Sequence, residues 1–512
     1  MDHPDQSEVV AFLGRAASYG PETERVERVA THASLVFLAG TRAYKLKRAV
    51  RYRYLDYSTL ELRRRACEAE LALNRRTAPA LYLGVTPVTR EPDGRLALGG
   101  EGEAIDWLVV MRRFAESDLF DRLAEAGRLS AELALALTGH IVAFHEAAER
   151  RYADGGTRDF AALIVGNDFN LRAADGGLPN AAIDLLRERS STALAALDGL
   201  LDRRRGAGYV RRCHGDLHLG NICLLDGRPV LFDAIEFSDA IACIDVLYDL
   251  AFLLMDLEHR GLRATANLVF NRYLDLAEAG EALAALPLFL SARAAIRAHV
   301  TAAAARLDTD PARRARHQAM AAAYLERAVA YLSPPPPPRL VAIGGLSGSG
   351  KSTLAASLAP AIGSAPGARV LRSDVLRKRL FGLAPETPLP GAAYGPPVTQ
   401  RVYEALCAQA AQALKAGHSV VVDAVFARPQ ERRDIAAAAE AAQAPFSGLW
   451  IEAPREAMAA RLAARRGDAS DATAAVLDAQ LGYDLGAIDW RRLDGRGSIG
   501  EVIEAARAML DL

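Results

Sequence analysis

The chain has 512 residues, half of them apolar and a quarter charged, which is ordinary globular composition and room for two to four domains. Its 62 basic and 63 acidic side chains leave a formal charge of −1, so no global field draws it to nucleic acid or to an anionic membrane. Five scattered cysteines (Cys67, Cys213, Cys223, Cys243, Cys407) form no C-x-x-C pair, which argues against a disulfide framework or a zinc site and for reduced thiols in the cytoplasm. No amino-terminal apolar run reads as a signal peptide. The apolar stretch Val246–Met255 is interrupted by Asp249 and flanked by Asp245 and Asp256, too broken to span a bilayer. The expectation is a cytoplasmic protein with no membrane partner.

In chain order, Val9–Ala17 and Glu22–Ala30 carry apolar residues at helical spacing. The period then changes to two. Ser34–Leu38 and Ala43–Leu46 read as strands joined across Gly40–Arg42. Lys45 and Lys47 share a face of the second strand. Only five lysines occur in the whole chain, so a retained lysine carries some information where arginine would not serve. Thr59–Arg76 is helical and carries Glu68 and Glu70. Leu81–Val88 and Ala104–Met111 are further strands, with a turn at Glu91–Gly94. A small antiparallel sheet with one helix on it is expected over about 30–112. From about 113 to 332 the pattern is mainly helical: Asp118–Ala147, Ala181–Leu201, Ile244–Met255, Leu262–Ala279, Leu283–Arg306 and Pro311–Tyr331.

Pro334–Pro338 is a run of five prolines, a stiff spacer that no helix or central strand accommodates. It predicts a division into 1–332, a linker 333–338, and 339–512. After it strands and helices alternate: Leu340–Ile343, Ala368–Arg372, Ser419–Val425 and Ser447–Glu452 are the strands. That order predicts a parallel sheet covered by helices.

Two stretches carry chemistry. Gly345–Ser352 fits G-x-x-x-x-G-K-[ST] between a strand and a helix-forming run. Backbone N–H groups of Gly345, Ser347, Gly348, Ser349 and Gly350, with Thr353 beyond, suit a phosphate nest at a helix N-terminus. Lys351 reaches the β/γ-phosphates and the Ser352 hydroxyl takes a place on Mg²⁺. The other stretch, Cys213–Phe237, contains His214, Asp216, Asn221 and Asp233. The Asp216–Asn221 spacing equals that of the kinase catalytic loop. An Asp there accepts the proton of an attacking hydroxyl, and an Asn and a second Asp hold Mg²⁺ through hard oxygens. A hairpin turning at Asp226–Gly227 places Asp233 just past its second strand. His140, His145 and His218 are read as ordinary residues without metal.

His214–Asn221, HGDLHLGN, resembles the catalytic loop of the aminoglycoside phosphotransferase and choline kinase group, and the likeness in motif order extends over roughly 30–330. The resemblance implies a two-lobed kinase-like fold that binds ATP and Mg²⁺. It implies Asp216 as catalytic base, Asn221 and Asp233 as metal ligands, and Lys45 as the strand lysine on the α/β-phosphates. Glu70 or Glu68 would be its helix partner, and Lys47 competes with Lys45 for the phosphate role. Met111–Phe114 falls at the adenine hinge, and Asp249 at a buried structural aspartate. No G-x-G-x-x-G precedes Lys45, and Ala234-Ile235 follows the metal Asp in place of Phe-Gly. Both departures favour a small hydroxylated acceptor over a protein.

The carboxy-terminal part resembles small P-loop kinases: gluconate and shikimate kinases, polynucleotide 5′-kinases and zeta-type toxins. That likeness implies Asp374 as the residue that orients or deprotonates the acceptor, with Arg377 neutralising developing charge. Asp423 would serve the metal directly or one layer out, and Arg461, Arg465 and Arg466 would close on the phosphates. Tyr394, Gln400 and Tyr403 lie where an acceptor could bind. The order of parts is similar to that of bacterial fused aminoglycoside phosphotransferase and ATP-binding proteins, a likeness shared by Thr31–Ser34, Leu73–Arg76 and Leu81–Gly84. The expected fold is therefore multidomain, α+β followed by α/β. The expected function is a bifunctional ATP-dependent phosphotransferase acting on hydroxyls of small molecules. Alternatives are a P-loop part that only senses nucleotide, a zeta-like toxin, or a polynucleotide 5′-kinase; against the last, no basic patch with interleaved aromatics follows Asp374.

Overall fold

The strands Ser34–Ala39 and Arg42–Lys47 close a hairpin on Gly40, whose φ of 54° lies in the left-handed region that a side chain disfavours. The register sets Val36 against Lys45 and Leu38 against Ala43. This computed structural model describes residues 5–31, 33–52, 55–174, 177–277, 281–464 and 469–512. The chain divides into two units, Met1–Asp159 with Asp202–Leu253 and Phe160–Leu201 with Leu254–Leu512. The proline run lies inside the second unit.

In the first unit the hairpin belongs to a six-stranded antiparallel sheet. Its order is Val26–Ala30, Ser34–Ala39, Arg42–Lys47, Glu103–Arg112, Tyr82–Arg90 and Leu96–Leu98. One face buries Phe37, Leu46, Leu108 and Val110 against Val9 and Leu13 of the short helix Ser7–Leu13. The helix Leu60–Asn74 starts at Thr59, whose hydroxyl accepts from Leu62 N at 3.3 Å. It buries Arg63, Cys67, Glu70 and Asn74, a stripe of one helical face. The helical reading of Glu22–Ala30 is corrected: Val26–Ala30 is a strand, because pairing with Ser34–Ala39 outweighs local propensity. The first helix also stops at Leu13, and Ala16–Tyr19 is a 3₁₀ turn. In the hairpin Ile222–Leu225 and Arg228–Leu231 the turn residues Asp226 and Gly227 both have positive φ, as a two-residue turn of this hand needs.

In the second unit a five-stranded sheet runs Arg369–Arg372, Val420–Asp423, Leu340–Gly344, Phe446–Glu452, Arg491–Asp494, every pair parallel. Leu340–Gly344 and Val420–Asp423 are buried throughout, which is why they read as continuous apolar runs. The fifth strand was not expected. Arg491–Asp494 is polar and largely exposed, so its pattern resembles a loop, and only pairing with Phe446–Glu452 makes it a strand. Helix Ala282–Leu307 is long and apolar enough by composition to cross a bilayer, and 61% of its apolar window is buried within the fold.

Candidate active sites

The first constellation is assembled from residues far apart in sequence. Lys45 Nζ lies 2.8 Å from Glu70 Oε1 and 2.5 Å from Asp233 Oδ1. Burial pulls the Lys45 ammonium down, but Asp233 and then Glu70 outweigh it and hold it above its usual range. Glu70 is fully buried, whereas Glu68 is exposed and 3.9 Å from Arg64. Lys47 points the same way as Lys45. It pairs with the other oxygen of Glu70 and with Glu236, which also accepts from Tyr57.

Asp233 sits just past the hairpin with φ 62°, an uncommon conformation for a residue with a side chain. Two groups hold its backbone. Asp233 N donates to the Tyr82 hydroxyl at 3.1 Å, and Ala234 N donates to Asn74 Oδ1 at 2.8 Å. One residue earlier, Phe232 N donates to Asn221 O at 3.0 Å and Phe232 O accepts from His214 Nε2 at 2.9 Å. The catalytic-type loop is thereby tied to the end of the hairpin. Asn221 Nδ2 donates to both the carbonyl and the carboxylate of Asp216, at 2.9 Å each. That spends the amide's donor and leaves its oxygen to accept, which suits a hard cation. His214 is buried, and burial lowers its pKa, in keeping with a neutral ring that donates from Nε2 while Nδ1 accepts from Asp216 N. Behind the loop, Asp249 accepts from His214 N and Gly215 N at 3.1 and 2.9 Å and meets His145 Nε2 at 3.1 Å. Cys213 completes a buried group with His145 and Asp249.

The second constellation is built on backbone. Gly345, Gly348 and Gly350 have φ of 143°, 80° and 106°. A Cβ on Gly345 would meet Ile451 O at 2.7 Å, and one on Gly348 would meet Met458 O at 2.5 Å. The helix Lys351–Leu358 follows directly. Lys351 is buried and donates to Leu346 O at 2.9 Å, and Ser349 Oγ is buried with no hydrogen-bond partner among the described residues. These are donors gathered around a concave turn, which fits a polyphosphate. Arg372 bridges Ser352 Oγ (3.3 Å) and Asp423 Oδ2 (3.4 Å), so a cation already lies beside the two oxygens assigned to a metal. Asp374, in the first turn of Ser373–Leu380, has its pKa raised by burial and by the Asp423 carboxylate, against a hydrogen bond from Ser470.

Arg377, expected to neutralise developing charge, has protein partners of its own. It donates to Ala393 O and Thr399 Oγ1 and lies over the Tyr394 ring, so it holds the segment that precedes the helix Pro396–Lys415. Arg461 donates to Ser349 O and Gly495 O. Arg465 and Arg466 lie outside the described residues. Sequence reasoning missed Lys378. Its ammonium is buried and bound to Asp471 and Thr387 O, while Asp471 also accepts from Leu389 N and Tyr394. The scarcity of lysine was the available signal. Glu236, Asn74 and Tyr82 were also missed as supports, because nothing local marks which buried polar groups meet.

The fold defines the class: one part built on an antiparallel sheet, and another built on a parallel sheet whose first strand runs into a glycine-rich turn and a helix. Residues 340–483 match the AAA domain family. Over 502 residues the chain is 30% identical to an uncharacterized protein of Mycobacterium tuberculosis, covering 94% of this chain and 95% of the relative, and equally to one of Mycobacterium bovis. The chain belongs to the same family as these mycobacterial proteins. Among solved structures it is similar to a choline/ethanolamine kinase family protein from Mesorhizobium loti, at 18% identity and TM-score 0.38 over 64% of this chain and 98% of that one. It is also similar to a sugar kinase from Janibacter sp., at 24% identity and TM-score 0.26 over 34% of this chain and 95% of that one.

Proposed function

We propose that the chain is a bifunctional phosphotransferase with two ATP sites, each moving a phosphoryl group to a hydroxyl of a small molecule such as a sugar, an aminoglycoside-like compound or a nucleotide sugar. The functional division falls at the proline run, with the first site in 1–332 and the P-loop site in 339–512. The observation that carries the reading is the meeting of Lys45, Glu70 and Asp233 beside a loop in which Asn221 clasps Asp216. ATP supplies the phosphoryl group and Mg²⁺ neutralises its charge. At the first site Asp216 takes the acceptor's proton as the hydroxyl oxygen bonds to phosphorus and the bond to the β-phosphate breaks. Asn221 and Asp233 would hold the metal, and Lys45 would hold the α/β-phosphates. At the second site Gly345–Thr353 would cradle the phosphates, Ser352 and Asp423 would serve the metal, and Asp374 would receive the acceptor's proton. Burial and the neighbouring Asp423 carboxylate raise the Asp374 carboxyl pKa, which makes the ionised group a stronger base. Among the described residues no disulfide joins any of the five cysteines, in keeping with a cytoplasmic setting.

The test is an acceptor screen with labelled ATP on the full chain carrying Asp216→Asn, Lys351→Ala, or both. Each single variant should lose one set of products and keep the other, and the double variant should lose all. Nucleotide binding at the P-loop without transfer to any acceptor, water included, would replace that half of the proposal with a nucleotide sensor. Label at polynucleotide 5′ ends would replace the small-molecule acceptor.

A further inference from the structure

Helix Arg263–Leu276 carries a polar row that the proposed chemistry leaves unused. Arg263, Asn267, Asn271 and Asp275 recur every four residues and so share one face. That face meets the edge of the parallel sheet within the second unit. Among the described residues, strand Arg369–Arg372 has a strand neighbour on one side only, Val420–Asp423. On its open side the helix supplies the hydrogen bonds. Asn271 Oδ1 accepts from Val370 N at 2.7 Å, and Asn271 Nδ2 donates to Ala368 O at 3.1 Å. A parallel strand would engage the same two backbone groups, so the side-chain amide stands in for a peptide unit. Asn267 Nδ2 reaches the same carbonyl at 3.0 Å. Asp275 holds the Arg369 guanidinium at 2.7 Å, and Arg263 donates to Pro360 O and Gly363 O at 2.6 and 3.0 Å. Asn267, Asn271 and Arg369 are all buried, so these groups have little water to fall back on.

The strand so capped leads straight to the chemistry. It ends in Arg372, which bridges Ser352 and Asp423, and two residues later comes Asp374. We propose that Asn271 is a positioning residue for the P-loop site: by acting as the missing strand partner of Ala368 and Val370 it sets Arg372 and Asp374. This rests on the P-loop site being a phosphotransferase. Its consequence is that a segment before the proline run completes a site whose motif lies wholly after it.

The experiment uses the full chain with Asp216→Asn as background, so that only P-loop turnover is read. Asn271→Leu removes both strand-like hydrogen bonds at similar volume. Its kcat should fall at least ~10-fold while KM for ATP moves less than ~2-fold, because misplacing a reacting group is costly and the glycine nest is untouched. Hydrogen exchange should show lost protection at the Val370 amide, which donates to Asn271. Asn271→Asp keeps the acceptor but not the donor and should fall between; it decides by the same split if Asn271→Leu does not fold. Unchanged kcat, or equal loss of kcat and ATP affinity, overturns the proposal. If the background protein shows no P-loop turnover at all, the functional reading fails separately. Protection at Val370 then decides the strand-partner claim, and unchanged protection overturns it.

Discussion

Lys45 and Lys351 are held by opposite means. Lys45 meets carboxylates 25 and 188 residues away, Glu70 and Asp233. Lys351 donates to a carbonyl five residues back, in the turn that presents it. One site is therefore a product of the whole first unit, assembled from side-chain charges. The other is a local arrangement of backbone, held by three glycines in conformations or spaces that exclude a Cβ. The first should be fragile toward loss of any partner, and the second toward loss of its glycines or its lysine.

The largest effect is expected at Asp216. Asp216→Ala should lower transfer at the first site by up to about 10⁴-fold, the upper reach of general-base catalysis, with ATP binding spared. Single-turnover transfer and nucleotide titration would check it; a loss of ATP affinity equal to that of Asp233→Ala would erase the distinction between base and metal ligand.

Next is Glu70. Removing a carboxylate shared by two buried ammonium groups should destabilise the first unit by about 3–5 kcal/mol, whereas Glu68→Ala should be close to neutral. Denaturant unfolding of the two variants would compare them. Equal small effects would mean that Lys45 is held by Asp233 alone.

Lys351→Ala should cost about 3 kcal/mol of transition-state stabilisation at the P-loop site, more than 100-fold in turnover, with the fold kept. Steady-state kinetics of full-length protein, read beside unchanged circular dichroism, would show it. Loss of the fold would mean that the loop depends on its lysine, as the first site depends on Glu70.

The smallest effect concerns pH. The Asp374 carboxyl is raised by burial and by Asp423, so the folded protein binds that proton more tightly than the unfolded chain. Its contribution to stability is intact below the ordinary carboxylate range and is lost as pH rises to the raised folded value. Asp374→Asn should therefore raise the unfolding midpoint slightly at neutral pH, and wild-type turnover at this site should fall as acid protonates the base. A lowered midpoint in thermal scans would show that the carboxylate is a net stabiliser.

The sequence by itself marked the candidate P-loop site. Its glycines, lysine and serine are contiguous, and each has a local conformational reason to be where it is. It also marked Asp216, Asn221 and Asp233, because one loop and one hairpin carry all three. The apolar runs gave four of the five parallel strands. Tertiary structure alone decided that Glu70 and not Glu68 faces the lysines, since that depends on which side of a helix is packed against the sheet. It turned Val26–Ala30 and Arg491–Asp494 into strands, because edge strands gain their partners only when a neighbouring strand arrives. It set the row Arg263, Asn267, Asn271 and Asp275 against a sheet edge. In the sequence that row reads as a solvated helix face, because periodicity reports which residues share a face and not what the fold brings against it.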